Sequence, residues 1–256
     1  MRKFVYVLVI ALVFAIPQTQ AATADVPTYA LLSLIGDKLD IVIAQRQSRS
    51  RADRSRRDPP SAIQDAVFDN AATTAAGEAV RKIIPGAELA YLNSRSTVLF
   101  EKQRELFAEK NGVMSIPDAI RDALKKEKAT HLILITKYGD EAQFQFVNAP
   151  DGTGMLEGLG FYLDGATGTF STDEREAGRG YIAPFVYAKV TLIDVQTSRV
   201  IRNKTITASL TISSARAQEN LTSPWLALSA AEKVSAMNRL IQRELARTIP
   251  LLLKAD

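Results

Sequence analysis

The sequence contains no cysteine and only one histidine among its 256 residues. Disulfide and thiolate chemistry are therefore excluded, and no cysteine is present to carry a lipid at the amino terminus. The single histidine, His131, cannot build a multi-histidine metal site, and no Gly-x-Ser-x-Gly motif accompanies it as a sign of a Ser–His–acid triad. We expect His131 to be a satisfied side chain at a strand edge, and we predict no metal and no cofactor.

Long hydrophobic runs are also absent, with one exception at residues 4–16, "FVYVLVIALVFAI". Arg2 and Lys3 precede this run and small residues follow it, which is typical of a secretory signal peptide. The run is shorter than the roughly 20 residues that a membrane-spanning helix needs. We therefore predict that residues 1–24 are a cleaved signal peptide; the alternative is an uncleaved anchor. Residues 25–256 would then form a single periplasmic domain that has no transmembrane segment and is not a lipoprotein.

Neither sign of charge is in large excess, because 32 basic residues face 28 acidic ones. This balance gives no reason to expect a nucleic-acid partner. The basic residues are concentrated locally in residues 45–60, which we predict to be an arginine-rich loop ending at Pro59 and Pro60. This loop is either a solvated connector or a patch that contacts an envelope protein, an anionic polymer or lipid phosphates. Its arginines are Arg46, Arg49, Arg51, Arg54, Arg56 and Arg57.

Hydrophobic patterns predict a mixed α/β (α+β) fold, with a single sheet of about five to six strands and helices packed on it. Residues 29–43 indicate either a hairpin or one bulged strand, broken at Gly36-Asp37. "SAIQ" (61–64) has the spacing of a capping box before an alanine-rich helix. Further helices are expected in 97–112 and 115–129, with strands at "AELAYL" and "THLILIT".

The last third of the chain has the clearest local signals. Residues 181–195 and 200–212 predict a long late β-hairpin around "QTSR". "SAAE" (Ser229–Glu232) predicts the capping box of a C-terminal helix, which Pro250 should end or kink.

Between these parts lies a glycine-rich segment, residues 148–180, which we predict to be a loop region. Its core is "GTGMLEGLGFYLDG" (152–165). A phosphate-binding loop requires a following helix, and neither a helix-forming stretch nor Gly-Lys-Ser/Thr follows here. The glycines then serve positive φ angles and close backbone approach. The apolar side chains either pack in the core or meet a partner, and the candidate binding residues are Met155, Glu157, Phe161, Tyr162 and Asp164.

Four carboxylates flank the glycine segment: Asp140, Glu141, Glu157 and Asp164. Two carboxylates suffice for glycoside hydrolysis, and some of these would meet if residues 132–147 and 159–163 paired. The other interpretation is that they are solvated loop acids.

Two stretches carry a resemblance to known proteins. "KKEKATHLILITKYGDE" and "YAKVTLIDVQTSRVIRNKTITAS" resemble a helix–strand step and a late hairpin of a periplasmic α/β domain. That domain is shared by the curli-secretion channel lipoprotein, the lipoprotein activators of penicillin-binding proteins and the amino-terminal domain of the Tol–Pal translocation protein. In the hairpin, Leu192, Ile193, Asp194, Thr197 and Val200 match, whereas Ser198 stands where glycine is usual.

The resemblance implies an envelope-associated α/β domain. The lipoprotein members need an acylated cysteine, which this chain lacks, and residues 140–180 do not alternate as a pore-forming hairpin would. The stretch from "GTGMLEGLGFYLDG" to "GRGYIAPFVYAKVTLIDV" also resembles a signature of uncharacterised secreted proteobacterial proteins, which implies export without implying an activity.

These observations together predict a periplasmic non-enzymatic accessory or scaffold protein of the bacterial cell envelope. Its expected partner is an envelope protein or an anionic envelope polymer or lipid. The first alternative is a hydrolase of envelope polymers that uses the carboxylates near the glycine segment. The second is a small-ligand or lipid binder with Phe161, Tyr162 and Tyr181 lining a pocket.

Overall fold

A computed structural model describes residues 26–44, 55–62, 66–145, 150–152, 154–171, 176–213 and 224–254. The strands are β1 (Thr28–Ser33), β2 (Lys38–Ala44), β3 (Ser55–Ala62), β4 (Glu88–Leu92), β5 (Glu109–Lys110), β6 (Val113–Met114), β7 (His131–Lys137), β8 (Gly139–Glu141), β9 (Phe144–Gln145), β10 (Pro150–Asp151), β11 (Met155–Ser171), β12 (Glu176–Asp194), β13 (Val200–Ser209) and β14 (Ile212–Ser213). The helices are α1 (Val67–Ile83), α2 (Thr97–Glu101), α3 (Gln103–Leu106), α4 (Asp118–Lys126) and α5 (Ala230–Leu253), with a 3₁₀ turn at Pro224–Ala227. The predicted signal peptide lies outside the described residues.

Ten of these strands form one mixed sheet that is five positions wide. Along one edge β12 pairs with β13. Along its other edge it pairs with β7 and β11 in succession, so these two strands lie end to end. Ala188 of β12 pairs with Lys137 of β7, and the preceding Tyr187 pairs with Gly158 of β11. The next position is filled by β1 and β2, also end to end and parallel to β7 and β11. The predicted α/β class is confirmed, but the sheet holds more strands than the five to six expected.

Residues 29–43 form neither of the two arrangements that the sequence suggested. They do contain two strands, but β1 pairs with β7 and β4 while β2 pairs with β11 and β3. The break at Gly36 separates two collinear strands instead of reversing the chain. The carboxylate of Asp69 holds this break, accepting hydrogen bonds from Ser33 Oγ at 2.6 Å, Ile35 N at 3.0 Å and Gly36 N at 3.1 Å.

The arginine-rich loop predicted for residues 45–60 is wrong in its second half. Residues 55–62 form β3, an outer strand that pairs antiparallel with β2. Pro59 and Pro60 fit there because the register slips at this point: Leu39 pairs with Ser61, but Ile41 pairs with Asp58. A proline is tolerated at such a bulge on an outer strand, where its missing N–H breaks no ladder bond.

Helices cover both faces of the sheet. The helices α1 and α5 pack with one set of alternate strand residues, which includes Leu31 and Ile133. The helices α2, α3 and α4 pack with the other set, which includes Leu32 and Leu134. Gly77 lets α1 approach the sheet closely, because a Cβ there would lie 3.0 Å from Leu89 Cδ1 and 3.1 Å from Leu31 Cδ1. No helix in the described part of the chain is long and apolar enough to cross a membrane.

Of the two predicted capping boxes, the first is wrong and the second is confirmed. Ser61 belongs to β3, and α1 begins at Val67 after Ala66, which makes no side-chain cap, so the first box is wrong. Ser229 and Glu232 form the second box reciprocally at the start of α5, which confirms it. Pro250 lies inside the last turn, and α5 continues to Leu253. The residues predicted as one helix over 97–112 divide into α2, α3 and β5.

The predicted loop at residues 148–180 is also wrong, because most of it is strand. β11 and β12 form a long antiparallel pair from Gly158↔Tyr187 to Ser171↔Glu176, with an irregularity between Asp164 and Gly168. The expected use of glycine is nevertheless confirmed. Gly152, Gly154 and Gly158 have φ angles of 120°, 92° and 70°. At Gly160 a Cβ would collide with the Asp40 carbonyl oxygen and the Phe185 ring. The late hairpin of β12 and β13 is confirmed as predicted.

Candidate functional site

The sequence-predicted site residues do not converge on one place. Phe161 and Tyr162 are both about 1% exposed, and strand alternation sends them to opposite faces. Phe161 meets the Trp225 ring edge-on with centroids 5.5 Å apart, whereas Tyr162 lies in an aromatic cluster with Phe144 and Tyr181. These aromatic side chains therefore serve the core, which was one of the two interpretations left open.

The other candidates are equally dispersed. Asp164 is 2% exposed, while Met155 is 51% exposed at the start of β11. Glu157 forms an ion pair with Arg104, at 3.0 Å between Oε1 and Nη2. Arg56 and Arg57 lie on β3 opposite Ile43 and Val42 of β2. The other four predicted arginines, Arg46, Arg49, Arg51 and Arg54, lie outside the described residues.

A cavity of about 440 Å³ lies on the α3 side of the sheet, where β7 ends and β11 begins. We call it the α3 cavity. Its floor contains the buried side chains of Phe107, Met114 and Leu134. Thr136, Tyr138 and Thr191 add hydroxyl groups to the lining, and its charged lining residues are Arg104, Glu109, Lys137 and Lys189.

The position of the α3 cavity follows from an interruption in the sheet. The pairing with β12 stops after Lys137 of β7 and resumes at Gly158 of β11, while β8 pairs with the first residues of β11. Tyr138 and Gly158, at the two ends of this interruption, remain hydrogen-bonded to the sheet and to each other. Tyr138 N donates to Tyr187 O at 3.0 Å, and Gly158 N donates to Tyr138 O at 3.4 Å. Between them, Ala142, Phe144 and Leu156 pack into the aromatic cluster. Tyr187 fixes residues 141–143, because its hydroxyl donates to Glu141 O and accepts from Gln143 N.

Gln103 connects α3 to this junction. Its side chain is buried, and Nε2 donates to the carbonyl oxygens of Phe100 at 2.6 Å and Leu34 at 3.2 Å. Its Oε1 accepts from Lys137 N at 2.8 Å. Because one amide bonds both the end of β7 and the residue after β1, α3 is held in a fixed position over the cavity. Gln103 is therefore a positioning residue for the cavity wall.

Three cationic side chains border the α3 cavity, and each faces one carboxylate. Lys137 Nζ lies 2.5 Å from Asp37 Oδ1 in a largely buried pair. Arg104 pairs with Glu157 at the rim. Lys189 Nζ is 3.6 Å from Glu109 Oε2, with both side chains about one third exposed. Exposed pairs of this last kind contribute at most about 1 kcal/mol, so an incoming anion can replace the carboxylate.

Glycine residues make room for two of these cations. At Gly158 a Cβ would lie 3.2 Å from Lys137 Cδ, and at Gly139 it would lie 3.3 Å from Arg104 Nη2. Any larger residue at these positions would crowd the lysine and the guanidinium. The arrangement can thus hold an anionic group against an apolar floor. Among the described residues there is no group of acidic or histidine side chains suited to a metal ion.

His131 lies outside the α3 cavity, at the start of β7. Its ring stacks on Tyr29 with centroids 4.9 Å apart, and Nδ1 is 2.8 Å from Thr130 Oγ1. Burial lowers the pKa of His131, and the nearby Asp194 opposes that shift. The expectation of a satisfied histidine at a strand edge is confirmed.

Sequence reasoning missed Gln103, Arg104, Lys137 and Lys189. One signal was available: Lys189 is the single charged residue in "YIAPFVYAKVTLI", an otherwise apolar or neutral strand. A charge within a buried strand indicates either an ion pair or a cavity. Nothing in the sequence indicated which of the two, since its partners come from distant segments.

No family model matches the chain, and no curated protein matches it. Several solved structures are similar over most of their length. A homolog of the neuraminyllactose-binding hemagglutinin from Helicobacter pylori is 10% identical, covering 90% of this chain and 87% of its own, with a TM-score of 0.41. A DUF330 protein from Xanthomonas campestris is 6% identical, covering 86% and 80%, with a TM-score of 0.36. The PelC dodecamer from Paraburkholderia phytofirmans is 12% identical, covering 90% of each chain, with a TM-score of 0.31. Similarity at this level assigns neither a family nor a function to this chain.

Proposed function

We propose that the protein is a non-enzymatic accessory protein of the bacterial envelope that binds an anionic, partly apolar ligand in the α3 cavity. The observation that carries this proposal is the convergence of Arg104, Lys137 and Lys189 around an apolar floor. The apolar leader pattern at residues 4–16 supports a location outside the cytoplasm. The earlier expectation of an anionic partner is kept, but its site moves from the arginine-rich segment to the α3 cavity.

The composition of the cavity favours an amphiphile over a bare ion. The cavity size lies within the range of small-molecule sites, which are mostly apolar with a few placed polar groups. Phe107, Met114 and Leu134 can cover an alkyl or acyl chain. Arg104 and Lys189 can then bind a phosphate or carboxylate headgroup at the rim through charge-assisted hydrogen bonds, which are roughly twice as strong as hydrogen bonds between neutral groups.

The hydrolase alternative is disfavoured for the pair Glu157 and Asp164 by their separation. Glu157 and Asp164 are seven residues apart on β11, which at a rise of about 3.3 Å per residue separates them by roughly 23 Å. Retaining and inverting glycosidases hold their two carboxyl groups within about 10 Å. Asp140 and Glu157 do lie on paired strands, since Asp140 of β8 is opposite Leu156 of β11. However, Glu157 is already paired with Arg104, and Asp140 accepts a hydrogen bond at 3.5 Å from Tyr138. If a hydrolase activity does exist, Glu157→Gln or Asp164→Asn should abolish turnover of a cell-wall or glycan substrate.

Isothermal titration with octyl phosphate tests the binding proposal. We expect saturable binding to the wild-type protein and much weaker binding of octanol, which lacks the charge. Lys189→Gln should weaken octyl phosphate binding by roughly tenfold, the loss expected for one charge-assisted contact.

Lys204→Gln is the matched control, because Lys204 is an exposed lysine on the neighbouring strand β13 and lies outside the cavity. It should bind octyl phosphate as the wild type does. Equal binding of octanol and octyl phosphate, or equal weakening by both substitutions, would contradict the proposal.

A further inference from the structure

A second depression lies on the opposite face of the sheet, between α1 and α5. Its volume is about 420 Å³, and we call it the α1–α5 groove. The base of the groove is lined by the small side chains of Ala75, Ala79 and Ala246. The larger side chains around it include Glu78, Lys82, Ile83, Arg239, Arg243 and Pro250.

The groove carries an excess of positive charge. Lys82, Arg239 and Arg243 line it against the single carboxylate of Glu78. Lys82 and Arg239 make no ion pair within the described part of the chain, so their charges are available. Arg239 and Arg243 are four residues apart and therefore lie on one face of α5. Arg243 contacts the neighbouring Glu244, which Arg247 shares at 3.6 Å.

An exposed apolar side chain accompanies these cations. Ile83, the last residue of α1, lines the groove and has 38% of its surface exposed. A helix surface that combines arginine and lysine with exposed aliphatic residues is typical of proteins that lie on anionic membranes. On such surfaces the cationic side chains contact lipid phosphates, and the aliphatic residues enter the headgroup region.

We propose that the α1–α5 groove is a docking site for anionic phospholipid headgroups, by which the α1 and α5 layer lies against a membrane surface. The charge of the groove selects an anionic partner. Arg239 and Arg243 on one face of α5, together with Lys82 and Ile83 on α1, fit the phosphates and the headgroup region of a lipid surface. The α3 cavity is on the other side of the sheet and remains accessible in this orientation. The docking site does not depend on the proposed function of that cavity.

Vesicle co-sedimentation tests the docking site on protein purified after export. The vesicles contain phosphatidylcholine with phosphatidylglycerol, or phosphatidylcholine alone. The wild type should bind only the phosphatidylglycerol vesicles, and added salt should release it. Arg239→Gln/Arg243→Gln should lower the partition coefficient by roughly 30-fold, the factor expected when two basic residues leave an anionic surface.

The matched control is Lys125→Gln/Lys126→Gln, which removes the same charge from exposed positions on α4, across the sheet. All variants share the same amino terminus and the same arginine-rich segment, so neither can produce a difference between them. The control and Lys189→Gln should both bind as the wild type does. The proposal is overturned if the wild type binds both vesicle types equally or neither, or if the α5 and α4 variants are weakened alike. It is also overturned if inorganic phosphate or an acidic protein binds the groove while phosphatidylglycerol vesicles do not.

Discussion

Replacing Asp69 should cost more stability than replacing any exposed carboxylate of the chain. The side chain is 5% exposed, and its Oδ1 accepts from Ser33 Oγ, Ile35 N and Gly36 N. Asp69→Ala leaves two buried backbone N–H groups and one hydroxyl without their acceptor. Each unsatisfied buried donor costs about 1–3 kcal/mol, and the Ser33 hydroxyl can rotate to another partner, so we expect a total loss of about 3–4 kcal/mol.

Asp69→Asn removes the charge but keeps a side-chain oxygen that can accept the hydrogen bonds. The asparagine oxygen can replace Oδ1, and only the weaker contact of Gly36 N with Oδ2, at 3.2 Å, becomes unfavourable. This variant should lose about 1 kcal/mol. Burial raises the pKa of Asp69, against the opposing effect of its hydrogen bonds. The folded carboxyl therefore takes up a proton before the unfolded one as the pH falls. The part of the stability that depends on this titration is fully present below the unfolded pKa and is lost as the pH rises through the folded pKa, whereas the hydrogen bonds accepted by Oδ1 still contribute at neutral pH.

Urea unfolding followed by circular dichroism measures these differences, at neutral pH and across the acid range. Asp118→Ala is the control, because 97% of the Asp118 side chain is exposed. The reasoning would be refuted if Asp69→Ala lay within about 1 kcal/mol of the wild type, as a typical surface substitution does. It would also be refuted if Asp69→Asn kept the wild-type change in stability between mildly acidic and neutral pH.

Three further substitutions test other parts of the fold. Tyr187→Phe removes the two hydrogen bonds that the Tyr187 hydroxyl makes with Glu141 and Gln143. We expect the free energy of unfolding to fall by about 1–3 kcal/mol and hydrogen exchange at Gln143 N to become faster. Unchanged exchange would show that Tyr187 does not fix these residues. The pKa of His131 is lowered in the folded protein, so the unfolded chain takes up the proton first and the wild type loses stability as the pH falls below about 6.5. His131→Gln should reduce this loss. A variant with the wild-type dependence of stability on pH would show that another group titrates. Gly77→Ala should lower the melting temperature despite the better helix propensity of alanine, because the added Cβ would collide with Leu89, Leu31 and the Tyr91 hydroxyl. A raised melting temperature would mean that α1 can move away from the sheet.

Local signals predicted the parts of the fold that depend on neighbouring residues. The hairpin of β12 and β13 was predictable because two long apolar runs flank a short polar turn. At that turn Asp194 Oδ1 accepts from Thr197 N and Oγ1, both at 2.7 Å, and Ser198 adopts a φ of 56°, where glycine is usual. The cap of α5 depends only on Ser229 and Glu232. Such contacts are visible in any window of a few residues.

The remaining features depend on distant partners. Glycine and proline disfavour strands locally, which led to the incorrect loops at residues 45–60 and 148–180. The pairing of β11 with both β12 and β2 outweighs that preference, and an outer position accommodates Pro59 and Pro60. The α3 cavity could not be predicted either, because Arg104, Lys137 and Lys189 belong to segments separated by more than 30 residues.

The position of an anionic amphiphile in the α3 cavity can be measured directly. Crystals grown with 8-bromooctyl phosphate would reveal the bromine by its anomalous scattering and the phosphate by its density. We predict that the phosphate lies between Arg104 and Lys189, with the bromine over the floor formed by Phe107, Met114 and Leu134. An empty α3 cavity in crystals that hold the same compound elsewhere on the protein would contradict the proposed function.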